Sequence, residues 1–312
     1  MIEDMFFNAR ATIGDKGGVG RFTQQMMSRL DKRLKPLRPN SLISTGINGH
    51  LWEQVTLPLK AKGPLWSPAN SGPVLHRRQL ITVHDMAPFD YPQWFNKIYV
   101  EGYKKLYPLL LRNAVAVATV SEFSKNQILK YFPDVHDKIY VIPNGADFDC
   151  SSSLSKDHGS TPSSDLAHSG DLFKRPFFLM VGKIEPRKNI QLALSAWSKF
   201  YEKNSEFNLL IVGSTGDDAV FNNRKIKCVP CGVTFLGSVD DKLLRTLYQE
   251  AVSYINLSSY EGFGLPLLEA AHHDCPVIAS DIPAFRELEV PGIYYTSLDE
   301  DNVVDLFEHL AH

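Results

Sequence analysis

"VSYINLSSYEGFGLPLLEAAHHDCPVIA", residues 252–279, sets the reading of the fold. A short β-rich apolar run over 252–256 passes into a loop, then into a helix-period segment from Pro266, then into a second β-rich run over 276–279. The pattern recurs along the chain. Further strands are expected at 5–7, 79–83, 116–120, 139–142, 177–181, 208–212 and 234–236. Helices are expected at 21–30, 121–131, 190–204, 240–250 and 266–271. Strand, helix, strand in repetition means parallel sheets covered on both faces, a doubly wound α/β architecture.

A chain of 312 residues is about twice the usual domain length. Residues 151–172, rich in Ser, Gly and Asp and poor in periodic apolar positions, read as a linker or flexible loop between domains at 1–150 and 173–312. Ligands of such sheets bind at the carboxyl ends of strands, so a cleft between the halves is the expected site. The composition, 44% hydrophobic and 22% charged with a formal net charge of -2, is that of a soluble globular protein and excludes nucleic acid as the main partner. No apolar run reaches the roughly 18 residues of a spanning helix, and no signal peptide is visible at the N-terminus, so the expected location is cytoplasmic. Four cysteines are too few for a disulfide scaffold, and Cys228-Val-Pro-Cys231 lacks a second ligand pair for zinc.

Glu261 and Glu269 stand on either side of a Gly-Phe-Gly-Leu-Pro turn. Glycines 262 and 264 leave backbone N–H groups bare, and a glycine-rich loop feeding a helix N-terminus is an anion site. Carboxylates beside it suit hydroxyls rather than phosphate, which describes a nucleotide sugar; the alternative is that Glu269, in the first helical turn, favours the helix dipole while Glu261 is solvated. "VGKIEPRKNI", residues 181–190, gathers Lys183, Arg187 and Lys188 at the end of a strand, where cations neutralise a diphosphate. Its alternative is a solvated basic turn with Asn189 capping the next helix. "GDKGGVGRF", residues 14–22, is glycine-rich but fits neither the P-loop nor the dinucleotide spacing. His84, ending a strand, is either a ligand to a sugar hydroxyl or a loop histidine, and Ser121 with Ser124 reads as an N-cap region. Asp147-Phe148-Asp149 lies away from these signals and is set aside as a metal motif.

In this order, "GVGRF", "TVHDMAP", "VSEFSK", "VIPNGAD", "VGKIEPRKNI" and "EGFGLPLLEA" resemble the retaining glycosyltransferases of the family-four type. The resemblance runs from about residue 8 to about residue 287 and implies the GT-B fold, two Rossmann-like doubly wound domains facing across a cleft. Within the family the pattern is nearest to bacterial mannosyltransferase-like enzymes of surface polysaccharide assembly. It implies a hexose donor, GDP-mannose favoured, and a glycan or lipid-linked acceptor. Carried over by position, Glu269 binds the ribose and Glu261 the sugar hydroxyls near the reacting carbon. Phe263, Gly264 and Leu265 offer backbone contacts, Lys183, Arg187 and Lys188 hold the diphosphate, Gly17 and Gly18 close on the donor phosphates, and His84 meets the hexose. The catalytic set is then Glu261, His84, Arg187 and Lys188. No cofactor is implied beyond the donor itself, and no metal.

The chain departs from the family in carrying Lys183 where many relatives have arginine, and in stopping before their final crossing helix, which leads to the expectation of a shortened form. That makes a catalytically inactive nucleotide-sugar-binding partner subunit the rival reading, with an epimerase or phosphorylase of similar fold as another. Tyr99, Tyr103, Lys104, Lys105 and Tyr107 form a basic aromatic set on an expected helix, either an ordinary amphipathic surface or a peripheral contact with the inner face of the membrane.

Overall fold

The computed structural model describes residues 5–13, 17–30, 33–44, 46–145, 173–214, 220, 226 and 228–312. The linker 151–172 and the Asp147-Phe148-Asp149 triplet lie outside the described residues. The chain divides into two compact units: Met1–Asn144 with Asp217–Asn222 and Glu261–Phe263, and Gly145–Gly216 with Asn223–Tyr260 and Gly264–His312.

The first unit holds β1 (Met5–Asn8), β2 (Leu34–Leu37), β3 (Leu65–Ser67), β4 (Gln79–Val83), β5 (Ala116–Thr119) and β6 (Ile139–Val141) in the order β2-β1-β3-β4-β5-β6. The second holds β7 (Phe177–Val181), β8 (Asn208–Val212), β9 (Val233–Gly237), β10 (Ser253–Asn256), β11 (Val277–Ser280) and β12 (Ile293–Thr296) in the order β12-β11-β10-β7-β8-β9. Every pairing is parallel. The second order is that of a dinucleotide-binding sheet, and its direction reverses between β7 and β10.

Burial on both faces explains the unbroken apolar strands. In β7, Phe178 and Met180 pack with Trp197, Phe200 and Phe307, while Phe177 and Leu179 pack on the opposite side with Leu247, Tyr254 and Phe285. Alternate side chains thus feed two cores from one strand. β4, β7 and β8 fall where the sequence placed them; β2, β3 and β12 are additional. β2 contains Pro36 and survives as an edge strand, one of the few places a sheet tolerates proline.

The aromatic set lies on an ordinary amphipathic helix, Lys97–Asn113, with the tyrosines turned inward. Tyr103 and Tyr107 are buried in the first unit's core and Tyr99 packs against it, with ring centroids 4.5 and 5.1 Å apart down the row. Spacing of four residues put the tyrosines on the core stripe and left only Lys104 and Lys105 outside, so an aromatic membrane contact there is ruled out. Among the described residues no helix is long and apolar enough to cross a membrane.

Candidate functional site

In the second unit, the carboxyl ends of β7 and β10 meet at the reversal point, the position where such sheets bind ligands. A depression there is lined by Gly182, Lys183, Lys188, Ile190 and Asn256. Gly182 has φ +143°, and a Cβ on it would come within 3.3 Å of Lys188 Cε, so the lysine chain lies directly over the glycine. Lys183 and Lys188, two of the three expected cations, therefore line one depression. Arg187 is engaged differently: its Nε pairs with the buried Glu185, and its Nη1 donates to the Tyr260 carbonyl at 3.1 Å. Ser259 N–H donates to the Arg187 carbonyl at 2.8 Å.

Asn189 starts the helix Ile190–Tyr201 in the left-handed region, φ +50°, without capping it. Its Nδ2 instead donates to the Leu257 carbonyl and to Ser259 Oγ, at 2.9 and 2.6 Å. The basic turn is thus stitched to the 257–260 loop by both arginine and asparagine, which removes the reading of a merely solvated, capped turn. Glu185 and Asn189 are not among the expected site residues; burial beside Arg187 reveals the first, and partners some seventy residues on reveal the second.

The helix Leu265–His272 begins one residue before Pro266, with Gly264 at its N-cap at φ +111°. A Cβ on Gly264 would stand 2.8 Å from the Phe285 ring, so glycine is required there for space as well as for backbone. This start moves Glu269 out of the first turn, which contains no acid, and the helix-dipole explanation for it fails. Tyr248 Oη donates to Glu269 Oε2 at 3.1 Å, fixing the carboxylate. Leu265 opens this helix half-buried.

The first unit carries His84 and the segment Glu261–Phe263. His84 is buried, with Nε2 2.8 Å from the Pro68 carbonyl and Phe22 edge-on at 4.8 Å. A carbonyl only accepts, so Nε2 bears the proton and Nδ1 is the acceptor. Burial lowers its pKa to about 4, the Pro68 bond opposing, so the ring is neutral at pH 7. The Gly262 carbonyl accepts from Ser121 Oγ at 2.6 Å and Ser124 Oγ at 3.0 Å, while a Cβ on Gly262 would lie 2.1 Å from the His84 carbonyl oxygen. Ser121 also caps the helix Glu122–Tyr131 through Ser124 N–H, as its sequence position implies. Glu261 is buried and Phe263 half-buried. Gly17 is the N-cap of the helix Gly18–Arg29, and Gly18 has open space where a Cβ would stand; residues 14–16 of that loop lie outside the described residues.

The sequence also concealed a buried polar cluster after β1. Glu53 accepts from Asn8 Nδ2 at 2.6 Å and Ser71 Oγ at 3.1 Å and pairs with Arg10 Nε at 3.4 Å. Burial pushes its carboxyl up, but Arg10, His50 and Asn8 outweigh this and hold it below the ordinary carboxylate value. Among the described residues, no three His, Cys, Asp or Glu side chains gather as a metal site.

Residues 61–149 match the family described as Glycosyltransferase Family 4, and residues 168–311 that described as Glycosyl transferases group 1. The O-antigen chain mannosyltransferase RfbU of Salmonella typhimurium is 34% identical over 233 residues, 73% of this chain and 59% of its own. The serotype-specific mannosyltransferase WbdA of Escherichia coli is 30% identical over 232 residues, 69% of this chain and 27% of its own. The chain therefore spans less than two thirds of the length of either relative. The crystal structure of Anabaena HepE in complex with UDP-glucose has the same fold, with a TM-score of 0.70 at 16% identity over 99% of this chain and 89% of that one.

Proposed function

We propose, from the premise that this chain belongs to the family 4 glycosyltransferases of the GT-B fold, that it transfers a hexose from a nucleotide sugar to a glycan or lipid-linked acceptor with retention of anomeric configuration. The observation that carries the reading is the reversal point of the second sheet, where Lys183 and Lys188 line one depression with Asn256 and Arg187 is tied to the adjoining loop. GDP-mannose is the favoured donor and surface polysaccharide the favoured product, supported by the mannosyltransferase names of the relatives.

Lys183, Arg187 and Lys188 neutralise the diphosphate as the sugar leaves, and Glu269, held by Tyr248, accepts from the ribose hydroxyls. Backbone N–H groups of Phe263, Gly264 and Leu265 and the loop at Gly17 and Gly18 contact the donor. Glu261 accepts from the hexose hydroxyls and His84 from another through Nδ1. Attack from the face the leaving group departs lets a phosphate oxygen take the acceptor's proton, so no side chain forms a covalent intermediate; positioning and charge stabilisation supply the rate. No metal is invoked.

Calorimetric titration with GDP, UDP and ADP, with and without chelator, tests the donor, and NMR of the product's anomeric proton tests retention. Selective GDP binding lost in Glu269→Ala is expected. Binding of none of the three would overturn the proposal, as would an inverted product.

A further inference from the structure

The proposed function leaves the serine pair of "VSEFSK" with no role beyond a helix cap. Ser121 and Ser124 are buried, and they lie in the first unit together with His84 and the segment Glu261–Phe263. Capping accounts for only half of what they do. Ser121 Oγ accepts from Ser124 N–H at 2.9 Å, which is the cap, but its own proton goes to the Gly262 carbonyl at 2.6 Å, 141 residues on. The Ser124 hydroxyl has no part in the cap. Its Oγ stands 3.0 Å from the Gly262 carbonyl oxygen and 3.0 Å from that of His84, with one proton to share between them.

Buried carbonyls cost free energy unless donors serve them, and these two hydroxyls serve both members of the pair. The approach is close: a Cβ on Gly262 would stand 2.1 Å from the His84 carbonyl oxygen. Gly262 is not among the glycines with positive φ, so space rather than backbone conformation demands glycine there. His84 is fixed from other sides as well. Its N–H donates to Asn70 Oδ1 at 2.7 Å and its Nε2 to the Pro68 carbonyl at 2.8 Å, and Asn70 takes a left-handed φ of +58° that asparagine tolerates. Ser124 thus ties a histidine already locked in the frame to the tripeptide that begins with Glu261.

We propose that Ser121 and Ser124 are positioning residues for the transferred hexose: by fixing the Gly262 carbonyl beside that of His84, they set the spacing between the His84 ring and the Glu261 carboxylate. The role rests on the donor reading above, in which those two side chains take the sugar hydroxyls. A sugar ring presents its hydroxyls at fixed separations, so two acceptors far apart in sequence need a common fastening to match it. The diphosphate and ribose fall instead to Lys183, Arg187, Lys188 and Glu269, which belong to the second unit. Loss of the serine hydroxyls should therefore loosen the sugar and spare the nucleotide.

Two variants separate this role from capping. Ser124→Ala removes the shared donor and leaves the cap oxygen of Ser121 in place. Ser121→Asp keeps an oxygen for Ser124 N–H but has no proton for the Gly262 carbonyl. Each is compared with the native chain by calorimetric titration with GDP and by saturation-transfer NMR of GDP-mannose. The expected result is a GDP affinity within about twofold of native, as for independent sites. The mannose proton signals should fall to about half or less of their native share relative to the ribose signals, because misaligned hydrogen bonds weaken steeply. Mannose signals that keep their native share in a folded variant would overturn the proposal. So would GDP affinity lost in step with them, which would make the serines props of the fold. A native chain that takes up no saturation from GDP-mannose would instead overturn the donor reading, and this role with it.

Discussion

Replacing His84 by glutamine should remove one pH-dependent term from the stability of the protein and one silent histidine from its titration. Burial drops the imidazole from 6.5 to about 4, the Pro68 hydrogen bond acting the other way. At about 1.4 kcal/mol per pH unit, that gap is worth about 3 kcal/mol. Between pH 4 and 6.5 the unfolded chain binds a proton that the folded chain refuses, so stability rises with pH through this window. The neutral ring's contribution is complete above 6.5 and is lost progressively as pH falls toward 4. At pH 7 only about one ring in a thousand is protonated, against about one in four for an ordinary histidine. The assay is NMR of protein labelled at histidine Cε1, with the His84 resonance assigned by its absence from His84→Gln. It should hold its chemical shift from pH 8 down to about 5, and the melting temperature should fall more steeply on acidification in the native chain than in the variant. A His84 resonance that titrates near 6.5 would refute both the neutral state and the acceptor role given to Nδ1.

Tyr248→Phe keeps the buried ring but removes the donor to Glu269, so nucleotide should bind about fivefold more weakly in calorimetry with little change in melting temperature; unchanged affinity would show that the carboxylate needs no support. Gly264→Ala imposes an alanine at φ +111° against the Phe285 ring, a strain of about 1–3 kcal/mol that should lower the melting temperature by roughly 2–10 °C in calorimetric scans; a wild-type transition would contradict the helix start. Cys275 is buried and its thiol is pushed up to about 12, whereas Cys228 and Cys231 are exposed. Iodoacetamide at pH 8 followed by peptide mass spectrometry should therefore mark Cys228 and Cys231 and spare Cys275 until the chain is unfolded.

What could be read in advance was what depends on neighbours in sequence. Phe177–Val181 is apolar throughout because both faces are covered, and Ser121 announces its helix because its partner is three residues away. The failures have the opposite character. Asn189 resembles a cap but bonds to Leu257 and Ser259, some seventy residues on. Pro266 marks a first turn that would hold Glu269, yet Gly264 in the left-handed region opens the helix earlier. Tyr99, Tyr103 and Tyr107 leave an amphipathic helix and a membrane contact both open because their spacing fits any helix face, and only the packing partners decide that the tyrosines are inward. The helical run over 46–60 was hidden by Gly46, Gly49 and Pro58, which punctuate its pattern as loops do.

The basic turn shows how much that difference matters to chemistry. From sequence Lys183, Arg187 and Lys188 are three equivalent cations, but the structure gives them unequal tasks. Lys188 passes over Gly182 into the depression at the sheet's reversal point, where a Cβ at 182 would stand 3.3 Å from its Cε and press the lysine chain aside. Arg187 is held by Glu185 and the Tyr260 carbonyl before any ligand arrives, so its side-chain freedom is already surrendered and binding need not remove it. Glu185 also reduces three positive charges in one short turn to a net of two, relieving repulsion that would otherwise loosen the loop. On the proposed reaction the departing diphosphate gains a negative charge as the sugar bond breaks. A fixed pair of excess positive charges therefore interacts more strongly with the leaving group than with the intact donor, and that difference is what accelerates transfer.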